Sequence, residues 1–161
     1  MEKLSEVRVQ KLLTARSGNP FSTGSNFMVI PNVSWGFFSW GEADLIAITK
    51  SGYLTEGEVK LSITDFKADR KKKKFNSGHK DWTKDIRRHY YIVPEKLKDE
   101  CLELLKDSKS GLLYLEQCKG YIMIRSAKFA CVNREARKLT DKELLKLARL
   151  LSFRFWSAQW R

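Results

Sequence analysis

Residues 42–60 read EADLIAITKSGYLTEGEVK, and this stretch decides the fold predicted for the chain. One apolar run precedes Ser51 and Gly52, and a second run follows them. Two such runs joined by a glycine-containing turn are typical of a β-hairpin. A turn centred on Ser51 and Gly52 predicts that Thr49 pairs with Leu54.

The predicted pairing brings three charged side chains together. It sets Asp44 opposite Val59, between Glu58 and Lys60 on the second strand. Because side chains alternate along a strand, Glu58 and Lys60 share one face while Val59 points into the core. Charges beside apolar residues are costly to bury unless they are paired or bind a metal, and carboxylate oxygens suit Mg²⁺. The alternative is a solvated hairpin that carries ordinary surface charges.

A longer pattern adds to this local one. Asp44, then Glu58-Val59-Lys60, then SITDFKADRKKKKF and HYYIVP resemble the PD-(D/E)XK nuclease superfamily, and most closely its MmcB-like DNA-repair branch. The resemblance runs over residues 44–115. In that branch a serine and an aspartate-phenylalanine pair open a basic helix after the E-[IV]-K strand, and here these are Ser62, Asp65 and Phe66.

The resemblance implies a fold and a site. The fold is the α/β restriction-endonuclease-like PD-(D/E)XK core, with a mixed central sheet flanked by helices, in one domain over residues 1–161. Asp44, Glu58 and the backbone carbonyl of Val59 would hold Mg²⁺ or Mn²⁺. Lys60 would orient the attacking water and stabilise the charge that builds on the phosphate.

Glu6 is a further candidate ligand. Residues 2–16 predict a helix in which Glu6, Val9 and Leu13 fall on one stripe. By resemblance, Glu6 corresponds to a first-helix glutamate that supplies oxygen to the metal directly or through water. Alternatively, Glu6 only stabilises the start of the helix by opposing its dipole.

The charge of the chain favours a polyanionic partner. The sequence has 31 Lys and Arg against 19 Asp and Glu, a formal net charge of +12. DNA is the predicted partner, and residues 67–88 hold much of the excess charge. The alternative is a solvated basic face. The candidate phosphate-binding residues are Lys67, Arg70, Lys71, Lys72, Lys73, Lys74, Arg87 and Arg88.

Other classes of protein lack support in the sequence. No apolar run approaches the roughly 20 residues of a spanning helix and no secretory signal opens the chain, so we expect a cytoplasmic protein. The three cysteines lack zinc-ligand or disulfide spacing. His79 and His89 have no serine or cysteine partner at motif spacing, so a hydrolase triad is not indicated.

The remaining segments predict the other elements. Strands are expected at 27–30, 89–93, 112–116 and 121–125, and helices at 62–75 and 95–106. The capping-box pair Thr140 and Glu143 announces a last helix. Two groups of aromatic residues are expected to pack on the core. The first group is Trp35, Phe37, Phe38 and Trp40, and the second is Phe153, Phe155, Trp156 and Trp160. The alternative is base stacking for the first group and a dimer contact for the second.

These observations predict a metal-dependent nuclease that hydrolyses phosphodiester bonds of DNA, in DNA repair or in phage or mobile-element DNA processing. The alternative is a nucleic-acid-binding module that keeps the nuclease fold without catalysis. A homodimer and a protein partner both remain open.

Overall fold

The computed structural model of the protein describes residues 4–33, 42–70 and 84–159. It shows a six-stranded mixed sheet flanked by helices, which confirms the predicted α/β class and the predicted order of elements. The elements are α1 (Glu6–Ala15), β1 (Met28–Val33), β2 (Ala43–Ile48), β3 (Leu54–Val59), α2 (Ile63–Arg70), β4 (Ile86–Pro94), α3 (Lys98–Leu104), β5 (Gly111–Cys118), β6 (Tyr121–Lys128) and α4 (Asp141–Gln159).

The strands lie side by side in the order of the sequence. The pairs β1–β2, β2–β3 and β5–β6 are antiparallel, whereas the pairs β3–β4 and β4–β5 are parallel. Parallel neighbours need crossover connections. The connections that contain α2 and α3 provide them.

Alternating side chains divide the core between the two faces of the sheet. Leu45 and Ala47 of β2 pack with Val9 and Leu13 of α1. Ile46 and its neighbours on the opposite face pack against α4, while α2 and α3 cover the central strands on that same face. Both faces of the central strands are therefore shielded, which explains why β2 and β3 read as nearly continuous buried runs.

The β2–β3 hairpin differs from the prediction by one residue. Ile48 pairs with Leu54, and the Thr49 amide donates to the Tyr53 carbonyl at 2.9 Å, so the predicted pairing of Thr49 with Leu54 is wrong. The loop has three residues rather than two because Gly52 takes a left-handed conformation with φ 86°. A turn that ends in a left-handed residue is a common three-residue hairpin loop.

The observed register changes which residues share a face. Ile46 pairs with Glu56 in this antiparallel hairpin. Asp44 lies two residues before Ile46 and Glu58 two residues after Glu56, so both project from the same face. The predicted register would have set Asp44 against Val59, which is buried in the α1 side of the core. A slip of one residue moves a side chain to the other face of a sheet, and the true register brings the two carboxylates closer together.

Several predicted boundaries also change. β1 continues through Pro31 because it is an edge strand, where the missing amide of proline breaks no ladder. β4 starts at Ile86 rather than at His89. The helix predicted over 62–75 is described only as far as Arg70, and its remainder lies outside the described residues.

The last helix begins as predicted. The Thr140 amide donates to Glu143 Oε2 at 2.7 Å and the Glu143 amide donates to Thr140 Oγ1 at 3.3 Å, which is a capping box. The expectation that its aromatic residues dock on the core is wrong for Phe153, Phe155 and Trp156, which are all more than half exposed. The helix instead packs through Leu147 and its apolar neighbours. Trp160 and the first aromatic group, Trp35, Phe37, Phe38 and Trp40, lie outside the described residues.

In the described ranges no helix is both long enough and apolar enough to cross a membrane.

Gly57 is the point of closest packing in β3, and its replacement tests this core. A Cβ there would lie 2.6 Å from Phe21 Cζ and 3.1 Å from Ile92 Cδ1. We expect Gly57→Ala to lower the free energy of unfolding by about 1 to 3 kcal/mol, because overpacking displaces buried side chains. Urea titration checks this value. Gly24→Ala is the control because its nearest neighbouring atom would be 3.8 Å away, and equal effects of the two substitutions would contradict the packing argument.

Candidate active site

The predicted charged residues meet where β2 begins and β3 ends. Lys60 Nζ lies 2.7 Å from Glu58 Oε2 and 3.9 Å from Asp44 Oδ2. The Val59 amide donates to the same Asp44 oxygen at 2.8 Å. The structure thus brings together the four residues that sequence analysis selected on this hairpin.

Asp69 belongs to the same cluster and was missed as a site residue. It lies in α2, is 1% exposed, and places Oδ1 3.4 Å from Lys60 Nζ. The Tyr91 hydroxyl of β4 donates to its other oxygen at 3.0 Å. The signal in the sequence was helical spacing, because Asp69 follows the buried Phe66 by three residues and shares its face. The many cations around Asp69 hid this signal.

The surroundings of Lys60 keep it charged. Burial alone would lower the pKa of the ammonium group, but Glu58, Asp69 and Asp44 outweigh burial and raise the pKa above its ordinary value. Lys60 is therefore a hydrogen-bond donor and a fixed positive charge near neutral pH. It is not a base, because it has no proton-free form at that pH.

The surroundings of Asp44 instead favour its uncharged form. Burial raises its pKa from 3.8 to about 7, and the nearby Glu58 and Glu6 act in the same direction, against Lys60 and the Val59 amide. Two other carboxylates therefore lie within electrostatic range. Since a raised pKa records the cost of carrying the negative charge, a cation at this position would be favourable.

Glu6 approaches this site from the α1 side. Gln10 of α1 is buried, and its side-chain amide donates to Glu6 Oε1 at 3.0 Å and to the Asp44 carbonyl at 2.8 Å. The amide of Gln10 thus fastens α1 to the start of β2 and holds the Glu6 carboxylate beside it. Gln10 was not among the predicted site residues, because its contacts depend on the packing of α1 against the hairpin.

The donor set fits a hard divalent cation. Asp44, Glu58 and Asp69 bring three carboxylates against the single ammonium of Lys60, and the Asp44 side chain is 25% exposed, so it is open to solvent. Among the described residues, no group of three or more His, Cys, Asp or Glu side chains is already gathered at metal-ligand spacing. Mg²⁺ does not require such a group, since it commonly takes one or two protein carboxylates and completes its shell with water.

The predicted phosphate-binding residues do not gather on one surface in the described part of the chain. Lys67 forms an ion pair with Glu100 of α3 at 2.7 Å. Arg70 is the last described residue of α2, and Lys71, Lys72, Lys73 and Lys74 lie outside the described residues. Arg87 and Arg88 are in the first half of β4, and the Arg87 guanidinium stacks 4.0 Å from the centre of the Tyr53 ring. Their contact with DNA stays a prediction.

His89 has partners that motif spacing could not reveal. Its Nδ1 lies 2.9 Å from Ser110 Oγ, and its Nε2 lies 4.0 Å from Glu56 Oε2. β4 and β5 are neighbours and β3 pairs with β4, so these residues are adjacent in space although they are far apart in sequence. His79 lies outside the described residues.

Comparisons with known proteins bear on the fold. Neither a family model nor a curated protein matches the chain. The chain is similar to the SPO1766 protein of unknown function from Silicibacter pomeroyi, with 18% sequence identity and a TM-score of 0.55, over 82% of this chain and 79% of that chain. Likeness at this identity shows a shared fold and nothing about activity.

The raised pKa of Asp44 predicts a pH-dependent stability. Between pH 3.8 and about 7 the folded state holds the Asp44 proton more tightly than the unfolded state does, so stability falls as the pH rises through this window. In metal-free buffer, Asp44→Asn should raise the melting temperature at both pH 5 and pH 8, and the rise at pH 8 should exceed the rise at pH 5 by about 3 °C or more. Asparagine keeps the oxygen that accepts from the Val59 amide.

Differential scanning calorimetry with EDTA measures this difference. Asp107→Asn is the matched control because Asp107 is exposed and lies outside the cluster. A loss of stability at pH 8 in the Asp44 variant would show that the carboxylate stabilises the fold as an ion-pair partner.

Proposed function

We propose that this protein is a divalent-metal-dependent nuclease that hydrolyses phosphodiester bonds of DNA, built on a restriction-endonuclease-like PD-(D/E)XK core. The observation that supports it best is the convergence of Asp44, Glu58 and Lys60 with an excess of negative charge around one ammonium. The mixed sheet, with the hairpin that carries these residues, agrees with such a core.

The carboxylates of Asp44 and Glu58 and the carbonyl of Val59 would hold Mg²⁺ or Mn²⁺, and Glu6 would contribute directly or through water. Such a metal lowers the pKa of its bound water and polarises the phosphoryl group. Since ligand carboxylates must be ionised, the raised pKa of Asp44 makes metal affinity increase as the pH rises toward and beyond 7.

Lys60 would act on the phosphate itself. Its raised pKa keeps it cationic, so it donates hydrogen bonds to a phosphate oxygen and to the attacking water. A fixed positive charge beside a phosphate that gains charge in the transition state lowers the barrier. Asp69 and Tyr91 would act as positioning residues, because together they hold the Lys60 ammonium from the α2 side.

DNA as the substrate is supported by charge. The net charge of +12 on 161 residues gives a strong attraction to a polyanion. The proposed setting is DNA repair or the processing of phage or mobile-element DNA, which the resemblance to the MmcB-like branch favours.

One observation favours a second candidate, a nucleic-acid-binding module without catalysis. The Glu58 oxygen that would face a metal already has the Lys60 ammonium at 2.7 Å, so the cluster also makes sense as a self-contained ion network. Calorimetric titration with Mn²⁺ separates the two candidates. The nuclease requires binding that Asp44→Ala abolishes, whereas the binding module requires none.

The mechanism predicts the loss of cleavage in three variants. Asp44→Ala, Glu58→Ala and Lys60→Ala should each reduce Mg²⁺- or Mn²⁺-dependent nicking of supercoiled plasmid by about 100-fold or more, because each removes a group that acts in the transition state. Lys146→Ala, an exposed lysine on α4, is the control and should nick like the wild type.

Folding must be checked for these variants by melting temperature, since the loss of Lys60 leaves three carboxylates without their common partner. Glu58→Gln keeps the shape of the side chain and provides a second test if Glu58→Ala is unstable. Nicking at the wild-type rate by a folded Lys60→Ala protein would disprove the proposed mechanism.

Binding and cleavage should be separable. Replacing Lys71, Lys72 and Lys73 by Ala should make the slope of log affinity against log salt concentration less negative by up to about 3. Each phosphate contact contributes about −0.9 to that slope. Cleavage at saturating DNA should survive, since the carboxylates are untouched. Fluorescence anisotropy at several salt concentrations measures the slope.

A triple substitution of Lys106, Lys119 and Lys146 by Ala, all exposed, removes the same charge from other positions in the chain and is the matched control. If both triple variants change the slope equally, the basic run is a solvated face and DNA is held elsewhere.

A further inference from the structure

A concave site lies at the start of β4, and none of Asp44, Glu58, Lys60 and Asp69 lines it. It has a volume of about 380 Å³ and lies between the first residues of β4, residues 109–110 and segment 131–135. Buried His89 and Ser110 line it, with Nδ1 and Oγ 2.9 Å apart. Glu56, fully buried, places Oε2 4.0 Å from the other ring nitrogen, Nε2.

Backbone contacts hold the segment 131–135 against the strands. The Asn133 amide donates to the Arg87 carbonyl at 2.8 Å, and the Asn133 side chain donates to the Ile86 carbonyl at 3.1 Å. The Cys131 amide donates to the Lys109 carbonyl at 2.9 Å. The wall of the site is thus fixed on both sides, and the site exists before any ligand arrives.

The lining is strongly cationic. Arg87, Arg88, Lys109 and Arg134 contribute four positive charges, against the single carboxylate of Glu135. In the described ranges no ion pair within 4.0 Å neutralises Arg88, Lys109 or Arg134. The site therefore carries an excess positive charge that a bound anion would offset.

β4 is irregular where it lines this site. β3 pairs Leu54 with Ile86 but the adjacent Thr55 with Arg88, so Arg87 is an extra residue in β4. A bulge of this kind lets consecutive side chains leave the usual alternation, and bulges are frequent beside binding sites. Here Arg87 rests on the Tyr53 ring, and both arginines line the site.

The groups of this site match a phosphate. Guanidinium groups donate paired hydrogen bonds to phosphate oxygens, a lysine adds a point charge, and a serine hydroxyl donates a further bond. The volume of about 380 Å³ falls within the range of small-ligand sites and exceeds the need of a bare phosphate ion. We propose that this site binds a phosphomonoester, supplied either by a free nucleotide or by the phosphorylated end of a nucleic-acid strand.

The proposal does not depend on metal chemistry at Asp44, so its test is run with that chemistry disabled. The full chain carrying Asp44→Asn is titrated in EDTA by isothermal calorimetry. The small probes are deoxyadenosine 5′-monophosphate, deoxyadenosine and inorganic phosphate. Two single-stranded 12-nucleotide DNAs that differ only in a 5′-phosphate complete the set.

We expect the nucleotide to bind at least about tenfold more tightly than the nucleoside, because only the nucleotide has the charged group. The double substitution of Arg88→Gln and Arg134→Gln should weaken binding of the nucleotide by about tenfold or more. The double substitution of Lys146→Gln and Arg149→Gln removes two charges from exposed positions of α4 and should leave binding unchanged. Melting temperatures confirm that all variants are folded, as expected for exposed positions.

The DNA pair distinguishes the two sources of the phosphomonoester. Preference for the phosphorylated strand identifies a strand end, and binding of the nucleotide alone identifies a free nucleotide. Equal affinity of nucleotide and nucleoside together with equal affinity of the two strands would overturn the proposal, as would a double variant that binds like the control. If these tests fail while the protein with Asp44 intact shows metal-dependent cleavage, this inference alone is overturned.

Discussion

The Lys60 ammonium is the interaction on which the site depends. It joins the end of β3 to α2 through Asp69 and to β2 through Asp44, while Glu58 lies on its own strand. Three carboxylates around one buried cation are stable only if the balance of charge is kept, because an unpaired buried charge costs several kcal/mol. Burial, with the charges of Glu58 and Glu6, raises the pKa of Asp44, so its negative charge is carried at a cost near neutral pH. A cation beside Asp44 would offset that cost.

The local periodicity of the sequence was enough to predict the hairpin and the common face of Glu58 and Lys60. It was not enough for the register, because Gly52 takes a left-handed conformation that adds a third residue to the turn, and only the backbone angles reveal this. Asp69 was harder to find, since helical spacing marks it as buried while the basic residues around it suggest a solvated helix. The fold class followed from the order of the elements, which depends on none of these details.

Contacts between distant strands explain the rest of what was missed. His89 and Ser110 meet because β4 and β5 pair in parallel, and no spacing rule anticipates a partner 21 residues away. The basic residues were grouped because they are close in sequence. In the structure, Lys67 of α2 pairs with Glu100 of α3, whereas Arg87 and Arg88 of β4 line the site beside His89. Among the described residues of this basic run, Lys67 and the pair Arg87 and Arg88 therefore have different surroundings.

The contact of α4 with β1 has a consequence for self-association. The Arg154 guanidinium donates to the carbonyls of Pro31 and Asn32, and Pro31 has no amide to offer. An edge strand whose acceptors are occupied and whose donor row is interrupted is a poor template for the strand of another molecule. The Pro31–Asn32 part of β1 is therefore a poor place for strand addition, although the aromatic residues beside Arg154 are exposed.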